Sequence, residues 1–345
     1  MADVAVQGTL AYAANSYYGV QTIDVSDPAN PQVLGSRTVQ GTPRSIVLSG
    51  SYLYVATQSF NALKVVDAAD PTSLQVVATL TFPGDPTPFA PSDLALSGSD
   101  LFVAASLADL QVVDISDPLN PAITGSGPVM GAALGVATNA SLVCIAAGSA
   151  GLQVFDALNT HSPAMIGTAE GVYAAQDIAV SGDFACVADN YSGLKVVDIS
   201  DPQIPEVLGE VATGEAARAV AISGTFAFMI ETWGNLQIVD FSDPVNPEIA
   251  ATRTISGDPL DLAVQGDHLF VSVYTNDSSI LRGYNISNPA YPYNSGGVSF
   301  PAYQVATDVE VAGQVACVIM DYWLRVIDIS NPASPSLAGS VILPS

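Results

Sequence analysis

Five aspartates, Asp3, Asp93, Asp177, Asp261 and Asp308, recur at equivalent places along a chain whose sequence repeats about every 42 residues. Gathered into a ring, such carboxylates would attract a hard cation such as Ca2+, which takes several oxygen ligands. The competing role is local, each carboxylate accepting a backbone N–H bond from a neighbouring repeat. Arg44 and Arg218 stand just before the same position in two other repeats, where a guanidinium would neutralise the carboxylates or meet an anionic ligand. Glu310 occupies a place that is Ala in six other repeats and Val47 in one, and is expected to project into whatever space the repeats enclose.

A second group is aromatic. Tyr17, Tyr18, Tyr191, Trp233, Tyr322 and Trp323 fall in the short segments SYYG, NYSG, ETWGN and MDYW, while Phe89, Tyr173 and Tyr303 lie in other variable stretches. Exposed rings beside Asp and Asn suit a sugar or peptide, the ring face stacking while the polar groups orient the ligand. Packing between repeats is the alternative use. With Arg44 and Arg218, the six loop aromatics form the candidate ligand-binding set.

Catalytic chemistry finds less support. His161 and His268 have no partner at metal-ligand spacing. No P-loop, GxSxG, HExxH or dinucleotide fingerprint occurs. A carboxylate pair such as Glu231 with Asp189 would be the acid and base of a glycosidase or lyase, if the protein were an enzyme. Cys144, Cys186 and Cys317 share their repeat position with Tyr12, Tyr54, Phe102, Phe228 and Phe270, so they read as buried thiols in a core column.

All these residues are carried by one recurring unit. The stretch LKVVDISDP (Leu194 to Pro202) returns as LQVVDISDP, LQIVDFSDP, VQTIDVSDP and LRVIDISNP, with looser copies in LKVVDAADP, LQVFDALNT and LRGYNISNP. Units begin near residues 3, 45, 93, 135, 177, 219, 261 and 308. Within each, a short strand, a tight SG-type turn, an apolar strand, a loop, a third strand ending in Asp, a DP turn and a fourth strand follow in order. Four antiparallel strands cannot bury both faces alone and must stack on neighbours in a ring. The prediction is one all-β domain over 1–345, an eight-bladed β-propeller of four-stranded antiparallel blades. First strands would line the channel. The SG and DP turns would form a stereotyped lower face, and the variable loops an upper face of the kind on which function sits.

The DISDP segment has its own physical reading. Asp198 would accept N–H bonds from the turn that follows, and Pro202 fixes φ, so the motif is a staple rather than a site. These third strands and their (S)DPxNP turns resemble the LVIVD repeat family across essentially the whole chain. The resemblance implies a propeller found mostly on surfaces or in secreted bacterial and archaeal proteins, and it brings no catalytic residues. LNTHSP in the fourth unit and YNISNP in the seventh depart from the pattern, and looser turns are expected there.

Composition bounds the function. With 49% hydrophobic and 12% charged residues the chain has ample core material, and its net charge of -25 repels nucleic acid and anionic lipid. No apolar run is long enough to cross a bilayer, and Met1 leads directly into the first unit without a basic and apolar leader. The expectation is a non-catalytic extracellular or cell-surface module that binds a protein or glycan through upper-face aromatics, with Ca2+ as a possible channel ion. The alternatives are a self-associating structural subunit of a surface layer or filament, and a carbohydrate-active enzyme.

Overall fold

The computed structural model describes residues 3–343 apart from 16–18, 59, 84–92, 106–108, 140, 160, 277, 301–304, 321 and 333. Eight four-stranded antiparallel sheets follow one another, each built from four consecutive strands. Blades one to eight span 3–37, 43–81, 93–127, 135–169, 177–211, 217–254, 258–299 and 306–342. Blade five is representative, with strands Asp177–Ser181, Phe184–Ala188, Leu194–Asp198 and Glu206–Val211. Each first strand touches the first strand of the next blade, and the eighth returns to the first, so the sheets close into a ring around a channel.

Burial explains why the second and third strands lack alternation. Ala185, Cys186, Val187 and Ala188 are all buried, as are Leu194, Val196 and Val197, because a sheet covered on both faces needs apolar residues on both. The core is accordingly divided into eight clusters, one between each pair of neighbouring blades. The aromatic or cysteine column contributes one residue to each, from Tyr12 between blades one and two to Cys317 between blades eight and one. All three thiols are free and buried, and burial pushes each up to about 12.

Below the ring, the Asp that ends each third strand accepts the amide two residues on. Asp198 Oδ1 receives Ser200 N at 2.8 Å, and the same bond recurs in every blade. In blades four and seven, whose turns depart from the repeat pattern, this first bond is kept. Asp156 still accepts Leu158 N at 2.8 Å, and Asn285 accepts both the amide (3.1 Å) and the hydroxyl (2.6 Å) of Ser287, since an amide oxygen serves the bond as well as a carboxylate.

The same turns pack blade against blade. The DP proline carbonyl lies over a fourth-strand glycine of the preceding blade: a Cβ at Gly35 would stand 2.5 Å from Pro71 O, and one at Gly209 2.7 Å from Pro244 O. Gly339 is covered by Pro28 and Pro31 of blade one, so the seam where chain ends meet uses the same contact. Among the described residues no strand crosses that seam: blade one is built from β-strands within 3–37 and blade eight from strands within 306–342.

The innermost strands of blades two, six, seven and eight start two or three residues before the expected positions, at Pro43, Ala217, Asp258 and Ala306. In each, the register with the second strand shifts at the residue preceding the Asp position, a bulge of one residue. Among the described residues no helix is long and apolar enough to cross a membrane.

Candidate functional site

The upper ends of the first strands carry the aspartates, and the structure brings all five together around the channel mouth. Each reaches sideways to the following blade. Asp3 accepts Ile46 N at 2.7 Å, Asp93 accepts Val136 N at 2.9 Å, and Asp177 accepts Val220 N at 2.9 Å. Asp261 accepts Val309 N at 2.9 Å, and Asp308 accepts Val4 N at 3.0 Å. Their role is that of clasps between blades. The donor set does not suit Ca2+: one oxygen of each carboxyl is already engaged by an amide, and among the described residues no three His, Cys, Asp or Glu side chains are grouped to hold a metal ion.

Crowding gives these carboxyls unusual electrostatics. Burial, with the charges of Asp93 and Asp261, raises Asp3 to about 6, and the same causes raise Asp177 to about 7. Glu310 does project into the channel, where it lines two cavities of about 280 and 510 Å3, and burial beside Asp3 and Asp261 raises it to about 7. Each of these carboxyls holds a proton well above the ordinary carboxylate range.

The two arginines occupy bulges in blades two and six, on opposite sides of the ring. Arg218 Nη1 donates to Asp258 Oδ1 at 3.1 Å and to Pro259 O at 2.8 Å, while Arg44 Nε donates to Gln58 Oε1 at 2.7 Å. Both therefore brace upper-face backbone and loops.

Above the channel, the loops separate the aromatic residues into two kinds. Tyr191 and Trp233 are 80% and 81% exposed, and Tyr173, in the connection from blade four to five, is 69% exposed. Asp189, fully buried, accepts the amides of Tyr173 (3.1 Å) and Ala174, which staples that connection to the loop bearing Tyr191. Trp233 sits at φ +68°. The other non-glycine residues with positive φ, among those described, are Asn61, Asp109 and Asn190, types that tolerate the left-handed region, and they occupy the corresponding loops of blades two, three and five. A tryptophan there costs about 1 kcal/mol and is held in solvent. Trp323 is the other kind: half-buried against the core cluster between blades seven and eight, with the Arg325 guanidinium 4.4 Å from its ring centre. Tyr322 is exposed. Tyr17 and Tyr18, like Phe89 and Tyr303, lie outside the described residues.

LVIVD repeat models match residues 1–39, 40–81, 91–127, 174–213, 214–252, 256–299 and 305–342. The chain belongs to the LVIVD repeat family. The fourth unit is unmatched by the repeat model, yet it forms a complete LVIVD-type blade. No curated protein matches this LVIVD chain. Among solved structures, it resembles the computationally designed Ika8 protein (TM-score 0.74, 11% identity, 92% of each chain covered). It also resembles Sqt1 from Saccharomyces cerevisiae, with TM-score 0.75 and 10% identity over 100% of this chain and 95% of that one. A functionally unknown protein from Desulfotomaculum acetoxidans aligns at TM-score 0.57 and 14% identity, over 78% of this chain and 89% of the other. At such identities the likeness concerns the fold alone.

Two features of this LVIVD propeller escaped the sequence reading. Phe60 and Met130 are exposed in the same upper loops, at positions with no recurring neighbour pattern to flag them. The residue three before the Asp or Asn that closes each third strand forms a polar column, Gln21, Lys64, Gln111, Gln153, Lys195, Gln237, Arg282 and Arg325. Most of it is buried and bonded outward, as in Gln111 Nε2 to Ser126 Oγ at 3.0 Å, Lys195 to Glu210, and Thr252 Oγ1 to Gln237 Oε1 at 2.6 Å. The recurring Q/K/R after Leu was the available signal. Glu231 is buried with the Gln237 amide 3.4 Å from both its oxygens, so it and Asp189 serve the scaffold, each in its own blade.

Proposed function

We propose that this LVIVD propeller is a non-catalytic recognition module of the cell surface or extracellular space that binds a protein or glycan through the aromatic residues of its upper face. The observation that carries the reading is Trp233, displayed in solvent at a backbone conformation that disfavours it. Strain of this kind persists where the side chain is wanted at that place. Tyr191 and Tyr173, exposed on segments joined through Asp189, extend the aromatic surface toward blade four. The strong acidity and the family's usual surface location support the address.

With Trp323→Phe, Trp233 becomes the sole tryptophan, and its emission can be followed while soluble oligosaccharides and surface-protein fragments are added. Stacking should shift the emission to the blue and saturate, and Tyr191→Ala should weaken the response. Emission that no ligand class alters would refute an aromatic binding face.

A further inference from the structure

The aspartate column is arranged so that carboxyls avoid one another, except at one place. Blades one, three, five and seven carry Asp3, Asp93, Asp177 and Asp261, and the intervening blades two, four and six carry Ser45, Gly135 and Ala219. Blade eight breaks the alternation with Asp308, which puts three carboxyls on consecutive blades. Asp3, Asp261, Asp308 and Glu310 line one cavity, with Asp308 holding the Val4 amide and Asp261 the Val309 amide. Carboxyls crowded in this way keep a proton rather than all ionise, because carboxylates present only acceptors and repel one another. The same blade carries Glu310, the only acid at its repeat position.

This cluster lies at the seam, where among the described residues blades eight and one meet without an interlocking strand. Three kinds of contact span it: the Val4–Cys317 core cluster, the prolines of blade one over Gly339, and the carboxyls. Asp308 is central among them. It accepts Val4 N from blade one, and Asp261 of blade seven accepts Val309 N beside it.

We propose that Asp308 is a proton-dependent latch, joining blades seven, eight and one while the Asp261–Asp308–Asp3 cluster keeps its proton and loosening the seam when the medium removes it. The groups facing Asp308 are Asp261 from the first strand of blade seven, Asp3 from that of blade one, and Glu310 from its own, with Asp93 and Asp177 farther round the ring. Behind it, the second strands His268–Tyr274 and Val315–Met320 bring His268, Tyr274 and Cys317, and the third strand Ser279–Asn285 brings Arg282 and Tyr284, as titratable side chains. The charges that act on Asp308 are the carboxylates of Asp3 and Asp261, so loss of the proton leaves repulsion among them. Burial and these neighbours raise the Asp308 carboxyl well above the ordinary range, which keeps the latch shut in acid.

The native thiols report on the seam. Cys317 lies in the core cluster between blades eight and one, whereas Cys144 and Cys186 lie in equivalent clusters between blades four and five and between five and six. All three are raised to about 12 by burial, and Cys317 also by Glu310, whose ionisation lowers rather than raises its reactivity, so a rise in the ratio of Cys317 to the other two reports seam opening. The experiment is pulsed alkylation of the full chain from pH 6 to pH 9 at constant ionic strength, read by peptide mass spectrometry. One linked proton changes an opening equilibrium by up to about tenfold per pH unit. The ratio should therefore rise severalfold with pH in the natural protein and stay flat in Asp308→Asn, whose amide can keep the Val4 bond without ionising. A flat ratio in the natural protein overturns the latch even if the variant does not fold, and an equal rise in a folded variant overturns the role of Asp308.

Discussion

At the lower ends of the blades Asp24, Asp114 and Asp328 stand in solvent and accept the amide two residues on, whereas at the upper end of the channel Asp3, Asp177 and Asp308 accept amides of the next blade inside a crowded ring. Residue type and bond type are the same. The proton affinities move apart: hydrogen bonds from Ser26, Ser116 and Ser330 hold the lower carboxyls below their usual range, while burial among like charges lifts the upper ones. A carboxylate's surroundings decide its effect, and the two ends of one blade differ chiefly in water and in neighbouring charge.

The largest consequence is in pH. Carboxyls raised in the folded state bind more protons than in the unfolded chain, so their contribution is fully present below about pH 4 and is lost as pH rises through 6 to 7. The lower turns act in the other direction, their contribution present at neutral pH and lost in strong acid. Thermal melting across pH is expected to show greatest stability near pH 4 to 5 and a loss of several kcal/mol, to order of magnitude, by pH 8. A melting temperature that climbs from pH 5 to 8 would remove the distinction between the two ends.

Next in size is packing at the seam. Gly339→Val places a side chain 2.5 Å from Pro28 O and against the Pro31 ring. A loss of about 2 to 3 kcal/mol is expected, measured by urea unfolding, with a smaller loss for the less bulky Gly339→Ala. Asp198→Ala removes one lower-face staple and should cost about 1 kcal/mol, since the bond is solvent-exposed, while leaving any ligand affinity unchanged. An unaltered melting temperature would mean that the DP staple is ornamental. The smallest effect has the opposite sign: Trp233→Asn relieves the left-handed tryptophan and should stabilise the fold by roughly 0.5 kcal/mol, detectable as a small rise in urea midpoint.

The ring was legible in the sequence because its parts repeat. LKVVDISDP and its copies announce strand, turn and period together, and the column of Tyr12, Phe102 and Cys317 announces the interfaces between blades. The strand bulges were not legible, since nothing in Pro43-Arg44-Ser45 says that the pairing register shifts at Arg44. Nor was the choice between cation site and clasp for the aspartates. That depended on the distance to the neighbouring blade's amide, which the ring geometry sets. Trp233 and Trp323 illustrate the limit most plainly: both lie at the same kind of loop, and only the Arg325 contact and the backbone angle separate a covered ring from a displayed one.

The most direct measurement is the affinity of two variants, Trp233→Asn and Asp198→Ala, for whichever glycan or protein fragment the natural protein retains on an array. Loss of binding by at least about tenfold, or 1.4 kcal/mol, in the stabilised Trp233→Asn protein, with unchanged binding in the destabilised Asp198→Ala protein, is the expected result. Equal affinity of Trp233→Asn and the natural protein would contradict the assignment of recognition to the upper face.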